Sequence, residues 1–407
     1  MPDLDRDAKV GVIGAGAMGS GIAQVAATYG HTVILHDTRS AALDSAARSI
    51  EKNLARSVEK GRLSIADAKA VRERISLEGA HAGDTGDVSS LGAFRDCALV
   101  IEAVVEDLGV KRELFARLEG VVADDAILGT NTSSLSITGI ASGCKRPERV
   151  VGIHFFNPPT VLPLVEIVPG LVTGTTVTSA VRGLIDRWGK TTVIASDTPG
   201  FIVNRIARPF YGEALRIYEE GIADFATIDW AMRELGGFKM GPFELMDFIG
   251  NDINYSATRS VFEATYFDPR YKPFLTQQRL FEAGFLGKKT GRGYYDYAPG
   301  ATMPQPSTDR VVGQSIVDRI LAMLINEAAD AVLFRIASPT DIDLAMTKGV
   351  NYPKGLLAWA DELGVTTVLS RLERLQAEYG EDRYRPSALL RRMAANGGNF
   401  LKTDLTD

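Results

Sequence analysis

A chain of 407 residues is too long for one ordinary hydrophobic core, so two or three domains are expected. With 45% hydrophobic and 24% charged residues it has the composition of a globular protein, and a net charge of −6 argues against a general nucleic-acid binder. No apolar run reaches the ~18 residues of a membrane span, Met1–Asp7 is unlike a secretory signal, and the two cysteines and four histidines form no metal or redox motif, so a reduced cytoplasmic setting without a metal is the default.

From the N-terminus, Lys9–Gly14 predicts a short buried strand, followed by Gly14-Ala-Gly16-Ala17-Met18-Gly19 and a helix to about Tyr29. A second strand, His31–His36, ends on Asp37. Gly14 permits the tight turn, Gly16 lets backbone approach a pyrophosphate, and Gly19 lets helix pack on strand. The pyrophosphate rests on free N–H groups at the helix start, and Asp37 is placed for the adenine ribose. An acid there repels a 2′-phosphate and favours NAD, while Arg39 leaves some use of NADP open.

Residues 39–86 are too long for a plain crossover and predict a long helix, then another near Ser64–Arg74. Arg48, Lys52, Arg56 and Lys60 recur every four residues along one face. That stripe suits the phosphates of a large anionic substrate, or is simply a solvated face offset by Glu51 and Glu59. His81 falls in loop. Cys97–Val105 predicts the next strand with its exit, and Glu106, Asp107 and Lys111 open the following helix, where ligands of a doubly wound sheet sit. Ala126–Thr130 follows and exits into Asn131-Thr-Ser-Ser134, where hydroxyls cap a helix or face substrate.

Val150–Val168 predicts two strands joined by a rigid loop, Asn157-Pro-Pro159. His154 ends the first strand and Glu166 sits among apolar neighbours in the second. A His held by a buried carboxylate is what a general base needs. The plainer reading is a satisfied core histidine beside an unrelated glutamate, because spacing does not prove contact. Thr191–Ala195 adds a last strand.

From Thr198 onward the pattern is helical, with Pro199 suited to a helix start, and the half repeats itself. Asn204, Arg205, Glu213, Asp229, Gly241, Asp247 and Gly250 recur as Asp318, Arg319, Glu327, Asp343, Gly355, Asp361 and Gly364, an offset of 318 − 204 = 114 that still holds at 364 − 250 = 114. Pro269-Arg-Tyr-Lys-Pro273 against Asp382-Arg-Tyr-Arg-Pro386 continues it with a one-residue slip. Ala298–Pro306 is a Pro-rich link between the copies. Ile316, Ile320, Met323, Leu324 and Ala328 form a stripe that either packs on the first copy or fills the second copy's own core.

From Lys9 to Tyr297 the chain resembles the L-3-hydroxyacyl-CoA dehydrogenases. The resemblance rests on Gly14-x-Gly-x-x-Gly19, Asn131-Thr-Ser-Ser-Leu135, His154-Phe-Phe-Asn-Pro158, Asp197-Thr-Pro-Gly-Phe-Ile-Val-Asn-Arg205, Met240-Gly-Pro-Phe-Glu244 and Gly287-Lys-Lys-Thr-Gly291. Gly236–Gly250 with Gly291-Arg-Gly-Tyr-Tyr295 is most similar to the branch of phenylacetate breakdown, which acts on 3-hydroxyadipyl-CoA and carries a duplicated C-terminal domain; members acting on 3-hydroxybutyryl-CoA look alike. The resemblance implies an α/β fold: a Rossmann-type doubly wound sheet over residues 1–197, then tandem all-helical domains at 198–297 and 310–407. It implies His154 as general base oriented by Glu166, with Ser133 and Asn204 bonded to the reacting oxygen. Gly14, Gly16, Ala17, Met18, Gly19, Asp37, Glu106, Lys111, Ser133, Asn157 and Lys289 would hold NAD. Lys60 would meet coenzyme A, as would Asn53, at a position where the family often has Ser. The second copy has Asp318 for Asn204 and lacks the Gly-Lys-Lys-Thr-Gly tract, so it is expected to be structural.

In that mechanism His154 removes the hydroxyl proton while C3 gives a hydride to NAD. None of the twelve tyrosines has Lys four residues later, which excludes the Tyr-x-x-x-Lys base of short-chain dehydrogenases. The rivals are a dehydrogenase of a free hydroxy acid such as L-gulonate and a non-catalytic NAD sensor. The expected partners are an acyl-CoA substrate, no nucleic acid and no membrane. The two helical copies are expected to form a pseudo-dimer within one chain, with monomer and homodimer both open.

Overall fold

Strands that are apolar on both faces need cover on both faces, and in the first of two compact units, Met1–Thr198, helices provide it. The computed structural model describes residues 4–79 and 88–402; His81 lies outside them. Strands β1 (Lys9–Ile13), β2 (Val33–Asp37), β3 (Ile75–Gly79), β4 (Cys97–Glu102), β5 (Ile127–Thr130), β6 (Val150–Phe155), β7 (Leu164–Pro169) and β8 (Thr191–Ile194) form one sheet, ordered β3-β2-β1-β4-β5-β6-β7-β8. β1 to β6 are parallel; β7 is antiparallel to β6, and β8 runs parallel to β7. The first six strands have the doubly wound order, whose switch point lies between β1 and β4. Helices α1 (Ala17–Thr28), α2 (Ser40–Glu59), α3 (Ile65–Glu73), α4 (Leu108–Glu119), α5 (Ile137–Ala141) and α6 (Thr175–Arg187) complete the unit.

Strand β3 is absent from the sequence expectation. It is a sheet edge in which only Ile75 is buried, so its apolar signal is too thin to separate from the helix before it. The two predicted helices ahead of it appear as α2 and α3, the latter capped by Ser64, whose hydroxyl accepts from the Asp67 amide.

The second unit, Pro199–Asp407, is helical. Pro199 does not start a helix: Gly200 and Phe201 take φ of 75° and 45° and turn the chain, and the first helix begins at Val203. The helices are α7 (Val203–Ile206), α8 (Arg208–Glu219), α9 (Phe225–Trp230), α10 (Pro242–Ile249), α11 (Asn251–Ala264), α12 (Leu275–Glu282), α13 (Arg310–Leu333), α14 (Pro339–Gly349), α15 (Leu356–Leu363), α16 (Val365–Tyr379) and α17 (Ala388–Asn396). A π-turn, Ala231–Leu235, follows α9.

Every residue of α13 from Ile320 to Ala331 is buried, so no face of that segment is left for solvent. It packs on α8 and the π-turn of the first copy and on α15, α16 and α17 of the second. The copies are joined reciprocally. Arg205 Nε meets Glu327 Oε1 at 2.8 Å, and Arg319 Nε meets Glu213 Oε1 at 2.6 Å. Since 319 − 205 = 114 and 327 − 213 = 114, each arginine pairs with the other copy's acid. Tyr271 donates to Glu327 and Tyr384 to Glu213 in the same sense. This is the self-complementary contact of a two-fold dimer, made within one chain. Burial pushes the Glu213 carboxyl up, but Arg383 and Arg319 outweigh it and hold Glu213 below the usual range.

The slip in the repeat is a helix ending. The second copy leaves α16 through Gly380 at φ 64°, whereas the first leaves α11 through Tyr266 and Phe267, both left-handed at 55° and 63°. The extra residue changes the offset from 365 − 251 = 114 at the helix starts to 382 − 269 = 113 at the next turns.

Candidate active site

The glycine turn is closely packed at two of its three glycines. Gly14 sits at φ 100°, and a Cβ there would lie 2.4 Å from Ala103 O. A Cβ on Gly19 would lie 1.8 Å from Gly14 O, so only glycine lets α1 approach the strand exit. At Gly16 a Cβ would meet nothing within 4 Å among the described residues, which leaves room for a phosphate beside the backbone. Ala17, Met18 and Gly19 head α1, where amides have no preceding helical carbonyl. The α1 start and the exits of β1 and β2 therefore fit the pyrophosphate and ribose of NAD. Asp37 closes this turn: Oδ2 accepts from the Ala15 amide at 2.8 Å and Oδ1 from the Arg39 amide at 2.9 Å. Arg39 turns its guanidinium back to Asp37 at 3.4 Å.

At the exits of β4 and β5 an acid network appears. Glu106 Oε1 accepts from Thr132 Oγ1 at 2.6 Å, from the Ser133 amide at 2.9 Å and from Ser133 Oγ at 3.2 Å. Burial raises Glu106, but the Lys111 charge and these donors outweigh it and keep the carboxyl below its usual range. Lys111 is buried, its Nζ 2.5 Å from Glu102 Oε1 and 3.4 Å from Glu106 Oε2. It therefore lies behind Glu106 as its support. Glu102 itself, wholly buried, also accepts from Thr130 Oγ1 at 2.7 Å and the Val104 amide at 2.6 Å. Sequence reasoning gave Glu102 no role; a lone acid ending an apolar strand was the available signal.

His154 and Glu166 are direct cross-strand partners in the antiparallel pair β6–β7, so both side chains share a face. Nδ1 lies 2.6 Å from Glu166 Oε2, and both residues are buried. The Phe156 ring packs 4.5 Å from the imidazole. Asn131 ties the adjacent strands together, its Oδ1 accepting from the Phe155 amide at 2.9 Å. Asn157 is exposed on the loop that follows. Asp197 has a role missed in the sequence: it accepts from the Ile137 and Thr138 amides at 2.9 and 2.8 Å and so caps α5, just beyond Ser133.

Arg48, Lys52, Arg56 and Lys60 lie exposed on α2 and at its end, opposite the buried Leu43, Ala46, Ile50 and Leu54. None of the four is ion-paired among the described residues; Glu51 is engaged by Arg72 at 3.6 Å instead. Asn53 is half-buried and donates to Gln24 Oε1 at 3.4 Å. Two predicted site residues belong to the helical unit. Asn204 is partly buried in α7, and Lys289 pairs with Asp252 at 2.6 Å. Among the described residues no cluster of His, Cys, Asp or Glu could hold a metal, and no helix is long and apolar enough to cross a membrane.

Residues 9–198 match the family described as 3-hydroxyacyl-CoA dehydrogenase, NAD binding domain, and residues 200–297 and 316–404 match its C-terminal domain. The chain is 38% identical to the 3-hydroxyadipyl-CoA dehydrogenase of Escherichia coli (strain K12), over 95% of this chain and 97% of that protein. It is 40% identical to the 3-hydroxybutyryl-CoA dehydrogenase of Bradyrhizobium diazoefficiens, over 73% of this chain and 97% of that protein. A crystal structure of 3-hydroxybutyryl-CoA dehydrogenase from Escherichia coli K12 is similar with a TM-score of 0.87 at 38% identity, covering 96% of this chain and 98% of that one.

Proposed function

We propose that this chain, which belongs to the 3-hydroxyacyl-CoA dehydrogenase family, uses His154 as the general base in oxidising an L-3-hydroxyacyl-CoA to the 3-ketoacyl-CoA. The observation that carries the assignment is the buried His154–Glu166 contact of 2.6 Å. Glu166 only accepts, so Nδ1 holds the proton and Nε2 is the nitrogen that takes the substrate's hydroxyl proton. The imidazolium formed is stabilised by Glu166, as an acid stabilises histidine in a hydrolase triad.

Bound NAD supplies the hydride acceptor. The glycine turn with Ala17 and Met18 holds its pyrophosphate, and Asp37 its adenine ribose. Glu106, braced by Lys111, sets the Ser133 amide and hydroxyl beside the strand exits. Ser133 Oγ is the longer of its bonds to Glu106, so turning that hydroxyl to the substrate oxygen costs little. Asn157 is assigned to the cofactor as well. Asn204 as second donor to the substrate oxygen, and Lys289 at the cofactor, rest on the family resemblance.

Coenzyme A is assigned to the Arg48–Lys60 stripe and Asn53, supported by four exposed cations without acid partners. The acyl group is of the 3-hydroxybutyryl or 3-hydroxyadipyl kind. The two free cysteines, Cys97 and Cys144, suit a cytoplasmic enzyme, and the second helical copy stands in for a second subunit. The test is His154→Asn, which should lower turnover ~10²–10⁴-fold, the usual worth of a positioned base. NAD affinity should stay close to the wild type, since the glycine turn is untouched. Near-native turnover would assign the base elsewhere, and turnover of the free hydroxy acid in preference to its CoA ester would favour the hydroxy-acid rival.

A further inference from the structure

Arg208 opens α8 and is 6% exposed, yet no carboxylate lies against it among the described residues. Nη1 donates to Thr258 Oγ1 at 3.0 Å, and the guanidinium lies 5.1 Å from the centroid of the Tyr211 ring. Nε has no hydrogen-bond partner among the described residues. The other deeply placed arginines of this unit are paired: Arg205 with Glu327, Arg270 with Asp330, and Arg319 and Arg383 with Glu213. Burial alone pulls the Arg208 guanidinium below the usual arginine range. An unpaired buried cation is costly, and an anionic ligand placed against it would offset that cost.

The neighbouring group points the same way. Tyr352 is also 6% exposed, and its hydroxyl has no hydrogen-bond partner among the described residues. It comes from the second helical copy, at the position equivalent to Phe238 of the first, 352 − 238 = 114. Its ring packs 5.0 Å from Phe238 and 5.7 Å from Phe210. Where the first copy has an apolar ring, the second carries the same ring with a buried hydroxyl beside an unpaired arginine.

Arg208 follows Asn204 by four residues, and Ala207 between α7 and α8 keeps helical angles of −75° and −9°. The two residues therefore lie about one helical turn apart, roughly 6 Å along the axis. If Asn204 donates to the oxygen on C3, the far carboxylate of a six-carbon dicarboxylic acyl group lies about 4–5 Å further on, by carbon–carbon bond lengths. That reach matches one helical turn.

We propose that Arg208, assisted by the Tyr352 hydroxyl, binds the distal carboxylate of a dicarboxylic 3-hydroxyacyl-CoA of the 3-hydroxyadipyl type. The assignment rests on the dehydrogenase reading and on the role given to Asn204. It makes the second helical copy a contributor to substrate choice.

The experiment compares two six-carbon esters, 3-hydroxyadipyl-CoA and 3-hydroxyhexanoyl-CoA, which differ only in the terminal carboxylate. The wild type should show the higher kcat/KM for the adipyl ester, and in Arg208→Met the adipyl-to-hexanoyl ratio should fall about 10²-fold, as for one lost partner of a buried charge pair. Arg208→Lys should fall between, because it keeps charge without the planar fork. Arg208→Met should melt no lower than the wild type, since it removes a buried unpaired charge, and adipyl-CoA should raise the melting temperature of the wild type more than that of the variant. Tyr352→Phe, which removes one oxygen atom, should lower the ratio several-fold and keeps the test open if Arg208→Met fails to fold. An unchanged ratio in a folded variant, or a wild type that prefers the hexanoyl ester, would overturn the proposal. Failure to oxidise either ester would sink the dehydrogenase reading as well, and that result is distinct because it includes the ester without the carboxylate.

Discussion

Glu102 and Lys111 form an ion pair of 2.5 Å sealed from solvent, with side-chain exposures of 0% and 1%. Glu102 ends β4, the strand beside the sheet's switch point, and Lys111 reaches back to it from α4. The same ammonium supports Glu106, which in turn gathers Thr132 and Ser133. A buried pair of this kind fixes position more than it adds stability, whereas breaking it is expensive.

Lys111→Met should therefore destabilise the protein by roughly 3 kcal/mol, as expected for a buried charge left without its partner. It should also weaken NAD binding, because Glu106 loses its support. Glu102→Gln combined with Lys111→Met should recover much of the stability. Denaturant unfolding of the single and double variants gives the coupling directly, and additive effects would refute a linked pair.

Asp37 is bonded to the glycine turn, and the proposed function also gives it the adenine ribose. Asp37→Ala frees the Ala15 amide and the Arg39 guanidinium and removes repulsion of a 2′-phosphate. The ratio of kcat/KM for NAD to that for NADP should fall about tenfold or more, given the several kcal/mol that opposed like charges cost. Steady-state kinetics with both cofactors test this. An unchanged ratio would place Asp37 away from the ribose.

Much of this was legible in the chain because the signals were local. The glycine turn, the acid that ends β2 and the Asn131-Thr-Ser-Ser134 exit each follow from one strand and what leaves it. The His154–Glu166 pair was legible only as two strands with facing candidates. Contact needed the antiparallel register, which twelve residues of spacing and a proline loop do not fix. Glu102 and β3 were missed for opposite reasons. Glu102 looked like the end of an apolar strand, and its partner comes from another element, while β3 carries too little apolar signal because it has one neighbour. Arg208 was invisible as a site, since an arginine at a helix start reads as surface until the packing around it is seen.

Lys190 holds the loop after His154. Its ammonium donates to Leu162 O at 2.9 Å and to Pro159 O, and Pro159 packs against Gly21 of α1. Burial lowers the Lys190 ammonium to about 8 from 10.5. Between those values the unfolded chain holds more protons at this residue than the folded one, so its contribution to stability rises with pH there and is lost as pH falls through about 8. The difference in melting temperature between the wild type and Lys190→Met should shift in favour of the wild type from pH 8 to pH 10, and stay flat below pH 7. Scanning calorimetry across that range decides it, and a gap independent of pH would show that Lys190 does not titrate in this window. The KM for NAD should also rise in the variant, because the loop that carries Asn157 loses two ties.

The last prediction concerns the duplicated helices. α13 fills the centre of the helical unit, and the crossed pairs Arg205–Glu327 and Arg319–Glu213 bind each copy to the other. Removing residues 311–407 would strip the partner from α8, whose Phe210, Ala214, Leu215 and Ile217 are buried in the intact chain. It would also leave Arg205 and Glu213 without their partners, two uncompensated charges beside a newly exposed apolar face. A shortened chain can satisfy both losses at once by pairing with its own twin, because Arg205 and Glu213 then supply each other across a two-fold axis. The crossed geometry thus predicts dimers in particular, and not only aggregates. Light scattering should report a doubled mass for the shortened protein relative to its chain mass. Glu213→Gln in the shortened protein should weaken that dimer, since one substitution removes both symmetric ion pairs. A stable, fully active shortened monomer would refute the idea, and so would a dimer indifferent to Glu213→Gln.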